Sequence, residues 1–306
     1  MDGIIILNKE KSMTSHDCVN ILRGILKTKK IGHTGTLDPN VTGVLPMCIG
    51  QATKLVEWMT NSSKTYEGSI TLGYSTETED QYGKVVEKLK LNQAVDESLI
   101  DQTLSQMVGE LKQIPPMYSA VRVNGKHLYE YARNNQTIER PVRTIQVYEL
   151  RRTSSVIYNE VTQTCTFDFL ITCSKGTYVR TIATDLGVQL NIPSHMSRLV
   201  RISSAGFSID QAHTLDEIRE HESHYLIPLM DVLKKYPKVV VPKSLERLVQ
   251  NGAVLRREQF EQVEAQDWIS PQLLVINDVP IGFYGQHPTK SDLIKPLKMF
   301  SFKGNE

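Results

Sequence analysis

The sequence predicts an α+β protein: a mixed, largely antiparallel sheet with flanking helices, followed by a small β-rich unit at the C-terminal end. Three observations lead there. Strand-like and helix-like apolar periods are interleaved without a strict strand–helix–strand repeat, which argues against a doubly wound parallel sheet. Stretches 64–73 and 161–173 alternate in period two, as sheet strands do. Beyond Lys234-Lys235-Tyr236-Pro237, only one short helix and several short strand-like runs remain. A chain of 306 residues has room for a sizeable core and about two domains. The break divides it into a larger domain at 1–235 and a smaller one at 236–306.

The elements follow in order. Residues 1–8 form a short apolar, β-branched run, expected as a strand. Thr14 or Ser15 caps a helix running to about Lys27, in which Val19, Ile21, Leu22, Ile25 and Leu26 make an apolar stripe. Stretch 32–46 is dense in Gly, Thr, Asp, Asn and Pro and reads as a structured loop. A short helix is expected at 52–59. In the strand at 64–73, Tyr66, Gly68, Ile70 and Leu72 share one side. An amphipathic helix covers 97–108. Long strands are expected at 143–154 and 161–173, a helix at 178–190 after Lys175-Gly176-Thr177, and a strand at 200–209. In the tail, the helix is expected at 244–251 and strands at 239–241, 273–276 and 281–284.

Hydrophobic residues make up 40% and charged residues 23%, which is ordinary for a soluble globular chain. The net charge of +1 does not advertise a nucleic-acid partner, so any basic surface must arise from local clustering. The apolar run at Ile4–Leu7 is too short for a signal-peptide core, and no stretch approaches the roughly 20 apolar residues of a membrane span. A cytoplasmic protein with no membrane association is the expectation. Cys18, Cys48, Cys165 and Cys173 contain no CxxC pair, so neither a zinc site nor a redox pair is expected, and buried thiols are. One segment breaks the charge average. Residues 112–143 carry six Lys or Arg against two Glu, with Tyr118, Tyr129 and Tyr131 interleaved. Cations neutralise phosphates and tyrosines stack on bases, so the segment fits a single-stranded RNA surface as well as it fits a solvated basic face.

The chemistry-bearing residues concentrate in Gly32-His33-Thr34-Gly35-Thr36-Leu37-Asp38-Pro39, continued by Asn40-Val41-Thr42-Gly43-Val44-Leu45-Pro46. A carboxylate in so constrained a loop can be held rigidly and partly out of water, as a nucleophile or general base requires. Taken alone, Asp38 before Pro39 is a turn former, and His33 is a surface or packing histidine. A second segment, Cys173-Ser174-Lys175-Gly176-Thr177-Tyr178-Val179-Arg180, joins a strand to a helix. Its arginine is a natural partner for a buried aspartate, keeping it ionised and oriented; the plainer reading pairs Arg180 with Asp185. Tyr66, near a strand start, offers an aromatic face to a base or simply packs.

These residues resemble a known family. The loop from Gly32 to Pro46 is similar to the catalytic motif of the TruB family of tRNA pseudouridine synthases. Further matches follow in the family's order: Lys9 with Met13-Thr14-Ser15-His16; Lys64 to Tyr66, then Leu72-Gly73 and Asp80; Ile114 to Ala120 with Gly125 to Arg133, resembling an RNA-gripping insertion; and Cys173 to Arg180. The resemblance spans about residues 3–210. It implies the pseudouridine-synthase fold with a PUA-like RNA-binding domain at 236–306, which carries nine basic and eight acidic residues and so no strong phosphate-attracting field. It implies that Asp38 is the catalytic aspartate, that Tyr66 stacks on the target base, that Tyr178 and Leu199 line the pocket, and that Arg180 pairs with Asp38. His33 would fill the space left by the flipped nucleotide, and Lys9, Lys64, Lys126 and Arg133 would contact RNA. The implied substrate is uridine 55 in the T loop of tRNA. Its isomerisation requires no redox change, metal or cofactor, and with nothing in the sequence to suggest an obligate oligomer, a monomer is the expectation. Glu10 and Ser12 stand where the family has Pro and Gly in Lys-Pro-x-Gly, and Glu77 stands for a family Asp, which bears on loop geometry rather than on the reaction.

The competing expectation is a non-catalytic RNA-binding or tRNA-folding protein on the same scaffold, which would not need Asp38, Tyr66 and Arg180 together. A guide-RNA-dependent enzyme would not need the 112–143 insertion. A glycosidic hydrolase would release free uracil.

Overall fold

The computed structural model describes residues 1–221, 224–260 and 263–301, so residues 261, 262 and 302–306 of the expected C-terminal domain lie outside the described set. Among the described residues the main sheet has eleven strands. Along its main path the order is Ile227–Pro228, Gly3–Lys9, Thr42–Ile49, Ser194–Ser204, Lys64–Leu72, Thr164–Cys173, Arg143–Arg152 and Gly109–Gln113. Neighbours on this path pair antiparallel except Thr42–Ile49 with Ser194–Ser204, which are parallel. This is the mixed, largely antiparallel sheet expected.

Helix Ser15–Ile25 begins at a reciprocal cap: the Asp17 amide donates to the Thr14 hydroxyl (3.1 Å) and the Thr14 amide to the Asp17 carboxylate (2.8 Å). Its Cys18, Val19, Leu22 and Ile25 are buried on one stripe. Helix Val179–Leu190 buries Val179, Ile182, Ala183 and Leu186 and ends at Asn191 in the left-handed conformation (φ 55°). All four cysteines are free and buried. Glu97–Gln106 is the amphipathic helix expected at 97–108.

Two expectations are corrected. Stretch 32–46 is not one loop: Ile31–His33 and Thr42–Ile49 are strands, leaving 34–41 as the loop. The glycine that suggests a loop at 43 serves a strand crossing instead. Gly43 (φ 105°) lies against Arg201, whose backbone nitrogen and carbonyl oxygen a Cβ would strike. The strand expected at 200–209 begins earlier, at Ser194, and ends at Ser204. Its polar start is buried because partners are supplied: Ser194 Oγ donates to the Ala183 carbonyl (2.6 Å), and His195 Nδ1 meets the Tyr74 carbonyl (3.0 Å). Ser12 adopts φ 66°. At the position where the resemblance expects Gly, a side chain sits in the left-handed region at a cost of about 1 kcal/mol.

A second, five-stranded sheet runs in the order Lys238–Val240, Gln272–Ile276, Val279–Gln286, Leu293–Met299, Leu255–Arg256. Its Leu273, Val275 and Phe283 share one apolar cluster with Ile4, Ile6, Val44 and Leu55 of the N-terminal part. No helix among the described residues is long and apolar enough to cross a membrane.

Candidate active site

The loop at 34–41 is pinned on both sides of Asp38. Before it, the Leu37 amide donates to the Ser15 hydroxyl (2.9 Å), and Leu37 is buried in the core. After it, the Lys9 ammonium donates to the carbonyls of Pro39 (2.9 Å), Met13 (2.8 Å) and Glu10 (2.8 Å). The Val41 amide closes a turn on the Asp38 carbonyl (3.0 Å). Lys9 is 0% exposed with all three donors engaged, so its expected contact with RNA is corrected: it fastens the loop from within.

The Asp38 side chain remains 43% exposed, while its partner Arg180 is 6% exposed. Arg180 Nε meets Asp38 Oδ2 at 2.9 Å. The rest of the guanidinium donates to the carbonyls of Thr78 (2.7 Å) and Tyr118 (3.0 Å). One planar group thus joins the loop, the 74–80 segment and the start of the insertion, and it fixes one carboxylate oxygen of Asp38. Asp185, the alternative partner, makes no such pair. Its carboxyl is pushed up to about 6, chiefly by burial and then by the nearby Glu79.

Tyr178 precedes helix Val179–Leu190, and its backbone is clamped by Gln113, which accepts from the Tyr178 amide (2.8 Å) and donates to its carbonyl (3.1 Å). Tyr66 is 9% exposed, and burial holds its phenol above the usual tyrosine range. Asp38, Val41, Tyr66, Tyr178, Arg180 and Leu199 line one small pocket. A cavity of about 410 Å³ opens beside it, bordered by His33, Lys64, Tyr66, Lys175, Tyr178 and Arg201. On the other side of Asp38 a cavity of about 340 Å³ is bordered by Lys11, Asn40, Tyr82, Arg198 and Leu199.

His33 is held below the usual histidine range by burial, and further by the Arg201 and His16 charges, so its ring is neutral near pH 7. Lys64 is 5% exposed and donates to the Thr60 (2.5 Å) and Ser62 (2.6 Å) carbonyls. Burial, then the Arg201 charge, lowers its ammonium to about 8. It borders the cavity and is not part of an outer RNA-facing surface. Lys126 and Arg133 are exposed, on the hairpin Arg122–Val123/Lys126–His127 and on helix Leu128–Arg133. The Arg133 guanidinium lies 5.3 Å from the Tyr129 ring centre, and His127 stacks on the same ring at 5.2 Å.

Two residues of the site are absent from the sequence expectations. Gln113 carries no signal, since its role exists only where strand Gly109–Gln113 meets Tyr178. Arg201 carries one: it lies two residues beyond Leu199 on a strand, so it shares the inward face, and it is 1% exposed.

Solved structures share the fold. A chain of a Cbf5-Nop10-Gar1 complex aligns with a TM-score of 0.64 at 24% identity over 93% of this chain and 78% of its own. A chain from an H/ACA RNP bound to a substrate RNA containing 2′-deoxyuridine aligns with a TM-score of 0.66 at 22% identity over 98% and 86%. With these structures the chain shares its α+β architecture, a large mixed sheet with flanking helices. Residues 23–179 match the model of the TruB family pseudouridylate synthase (N terminal domain). The tRNA pseudouridine synthase B of Halalkalibacterium halodurans is 47% identical over 98% of both chains, and that of Bacillus subtilis is 44% identical over 100% of both. The chain belongs to the TruB family of pseudouridylate synthases.

Proposed function

We propose that this enzyme isomerises uridine 55 in the T loop of tRNA to pseudouridine, with Asp38 as the catalytic carboxylate. The observation that carries this reading is the Asp38–Arg180 pair (2.9 Å) at the mouth of a pocket walled by Tyr66, Tyr178 and Leu199. The target base must leave the RNA stack, at a cost of a few kcal/mol. Stacking on Tyr66, worth about 1–3 kcal/mol, offsets part of that. The C1′–N1 bond then breaks with its electron pair left on the base, the uracil turns over, C5 bonds to C1′ and gives up its proton, and N1 takes up a proton. Reactant and product are isomers, so no oxidant, reductant or cofactor enters the balance. Asp38 acts either by adding to the sugar or base or by removing the ribose 2′ proton. Both routes need the carboxylate held at a fixed angle to the sugar, which the Arg180 contact at 2.9 Å provides.

Residues 1–235 serve as the catalytic domain in this reading and 236–306 as a PUA-like accessory RNA-binding domain. The 112–143 insertion grips the T stem-loop through Lys126 and Arg133. The enzyme works in the cytoplasm as a monomer. His33 fills the gap left by the flipped nucleotide.

The test uses unmodified tRNA tritiated at uridine C5, following tritium release and pseudouridine formation. Turnover without added metal or nucleotide is expected, and its loss in Asp38→Asn. Activity that survives Asp38→Asn refutes the assignment of the carboxylate, and tRNA binding without turnover by the unsubstituted chain supports the non-catalytic alternative.

A further inference from the structure

We propose that Arg201 is a positioning residue of this active site: its buried guanidinium holds the Tyr66 hydroxyl and the main chain of the Asp38 loop in one geometry, and so sets the stacked base against the carboxylate. The inference rests on the isomerase reading above.

Arg201 is among the largest fully buried side chains, 1% exposed. On strand Ser194–Ser204 it stands opposite Tyr66 on one side and Gly43 on the other. Its Nε donates to the Val44 carbonyl (2.7 Å) and its Nη2 to the Gly35 carbonyl (3.2 Å), three residues before Asp38. The guanidinium also lies beside the Tyr66 hydroxyl, where its charge favours the ionised phenol. Among the described residues no carboxylate lies within ion-pair distance of it, and its neighbours Lys64 and Lys9 are themselves cations that its charge disfavours.

A cation so placed is expensive to bury, and neutral carbonyls neutralise it less than a carboxylate would. An apolar side chain would fill the same strand position at less cost, so bare packing does not explain a guanidinium there. What an apolar side chain would not do is bridge three things at once: the strand edge at Val44, the loop at Gly35 and the phenol at Tyr66. The planar fork sets the angles among its donors, so the loop and the ring cannot shift independently. Its uncompensated charge also faces the cavity beside the pocket, where it favours the electron pair left on the departing uracil.

The test is a double-mutant cycle on the full chain with Arg201→Lys, Tyr66→Phe and both, reading single-turnover isomerisation and tRNA affinity separately. Arg201→Lys keeps the charge and loses the fork. It is expected to slow single turnover by about 10–100-fold while affinity stays within about threefold. With Lys at 201, removing the Tyr66 hydroxyl is expected to add less than about a threefold loss, since Arg201 acts through it. Losses that multiply, or affinity that falls with the rate, overturn the proposal. An arm that leaves Arg201 in place guards against misfolding: its guanidinium ¹⁵N–¹H signals, slowed by the fixed geometry, are expected to broaden or average in Tyr66→Phe, and unchanged signals overturn the proposal. An inactive unsubstituted chain would refute the isomerase reading itself. An active chain whose Arg201→Lys variant keeps the parent rate would refute this inference alone.

Discussion

Asp185 and Lys9 show how far a residue's role depends on what closes over it. Asp185 lies five residues beyond Arg180 on the same helix, yet its carboxyl is raised to about 6, by burial first and by Glu79 second. Glu79 is raised as well, mainly by burial, although the Thr181 hydroxyl donates to it (2.6 Å). A carboxyl with a folded pKa near 6 and an ordinary value of 3.8 binds more protons in the native state than in the unfolded chain between those limits. Stability contributed at this site therefore falls as pH rises from about 4 to about 6, and the full penalty stands above 6. Asp185→Asn is expected to stabilise the chain by roughly 1–3 kcal/mol at pH 8 and by almost nothing at pH 4, read from thermal unfolding at both. An equal gain at both pH values would show that packing, not charge, explains it. Lys9 fails as a surface cation for a related reason. In sequence it is a lysine beside a motif; in the fold three carbonyls cover its ammonium, one of them Pro39, thirty positions on. The Asp38–Arg180 pair was legible because two dense segments resemble family motifs; the residues alone left Asp38 a turn former and Asp185 a rival partner. The carbonyls that complete the Arg180 fork, from Thr78 and Tyr118, belong to backbone that no side-chain pattern marks.

At the scale of elements, helices with apolar stripes and alternating strands were readable, and strands defined by their neighbours were not. Thr42–Ile49 contains glycine and proline and Ser194–Ser204 opens polar, yet the two pair with each other inside the main sheet. Leu293–Met299, with Pro296 and two lysines, was invisible for the same reason. The hairpin and short helix of the insertion went unread because a two-residue strand has no period to detect. That small element carries its own expectation. Lys126 and Arg133 are exposed, and Arg133 makes only a face contact with Tyr129, so their loss leaves the hairpin standing. Lys126→Ala with Arg133→Ala is expected to weaken tRNA binding and to reduce the slope of log affinity against log salt by about 1–2, one phosphate contact per cation. An unchanged slope would mean that these cations do not face RNA phosphates.

At the scale of the whole molecule, the two sheets are joined by an apolar cluster that both share, beside the larger core of the main sheet. Phe283 of the second sheet is 0% exposed and meets Trp58 edge-on with ring centres 4.8 Å apart; Tyr236 (4.9 Å) and Phe300 (5.9 Å) complete its surroundings. Polar contacts flank the cluster: Lys298 pairs with Glu57 (2.9 Å), Gln51 donates to the Ser301 carbonyl (3.1 Å), and Lys54 bonds the Met299 carbonyl. The pair at Lys298 is exposed on its Glu57 side and adds little. The aromatic burial dominates, because removing a buried Phe costs about 3–5 kcal/mol through lost transfer and the cavity left behind. If the two sheets unfold together, that cost appears far from the tail. Phe283→Ala is then expected to lower amide-exchange protection about 100-fold or more in strand Thr42–Ile49, whose Val44 and Cys48 lie in the same cluster. Protection lost only within Lys238–Met299 would show instead that the second sheet opens on its own, and that the active-site sheet holds its shape without it.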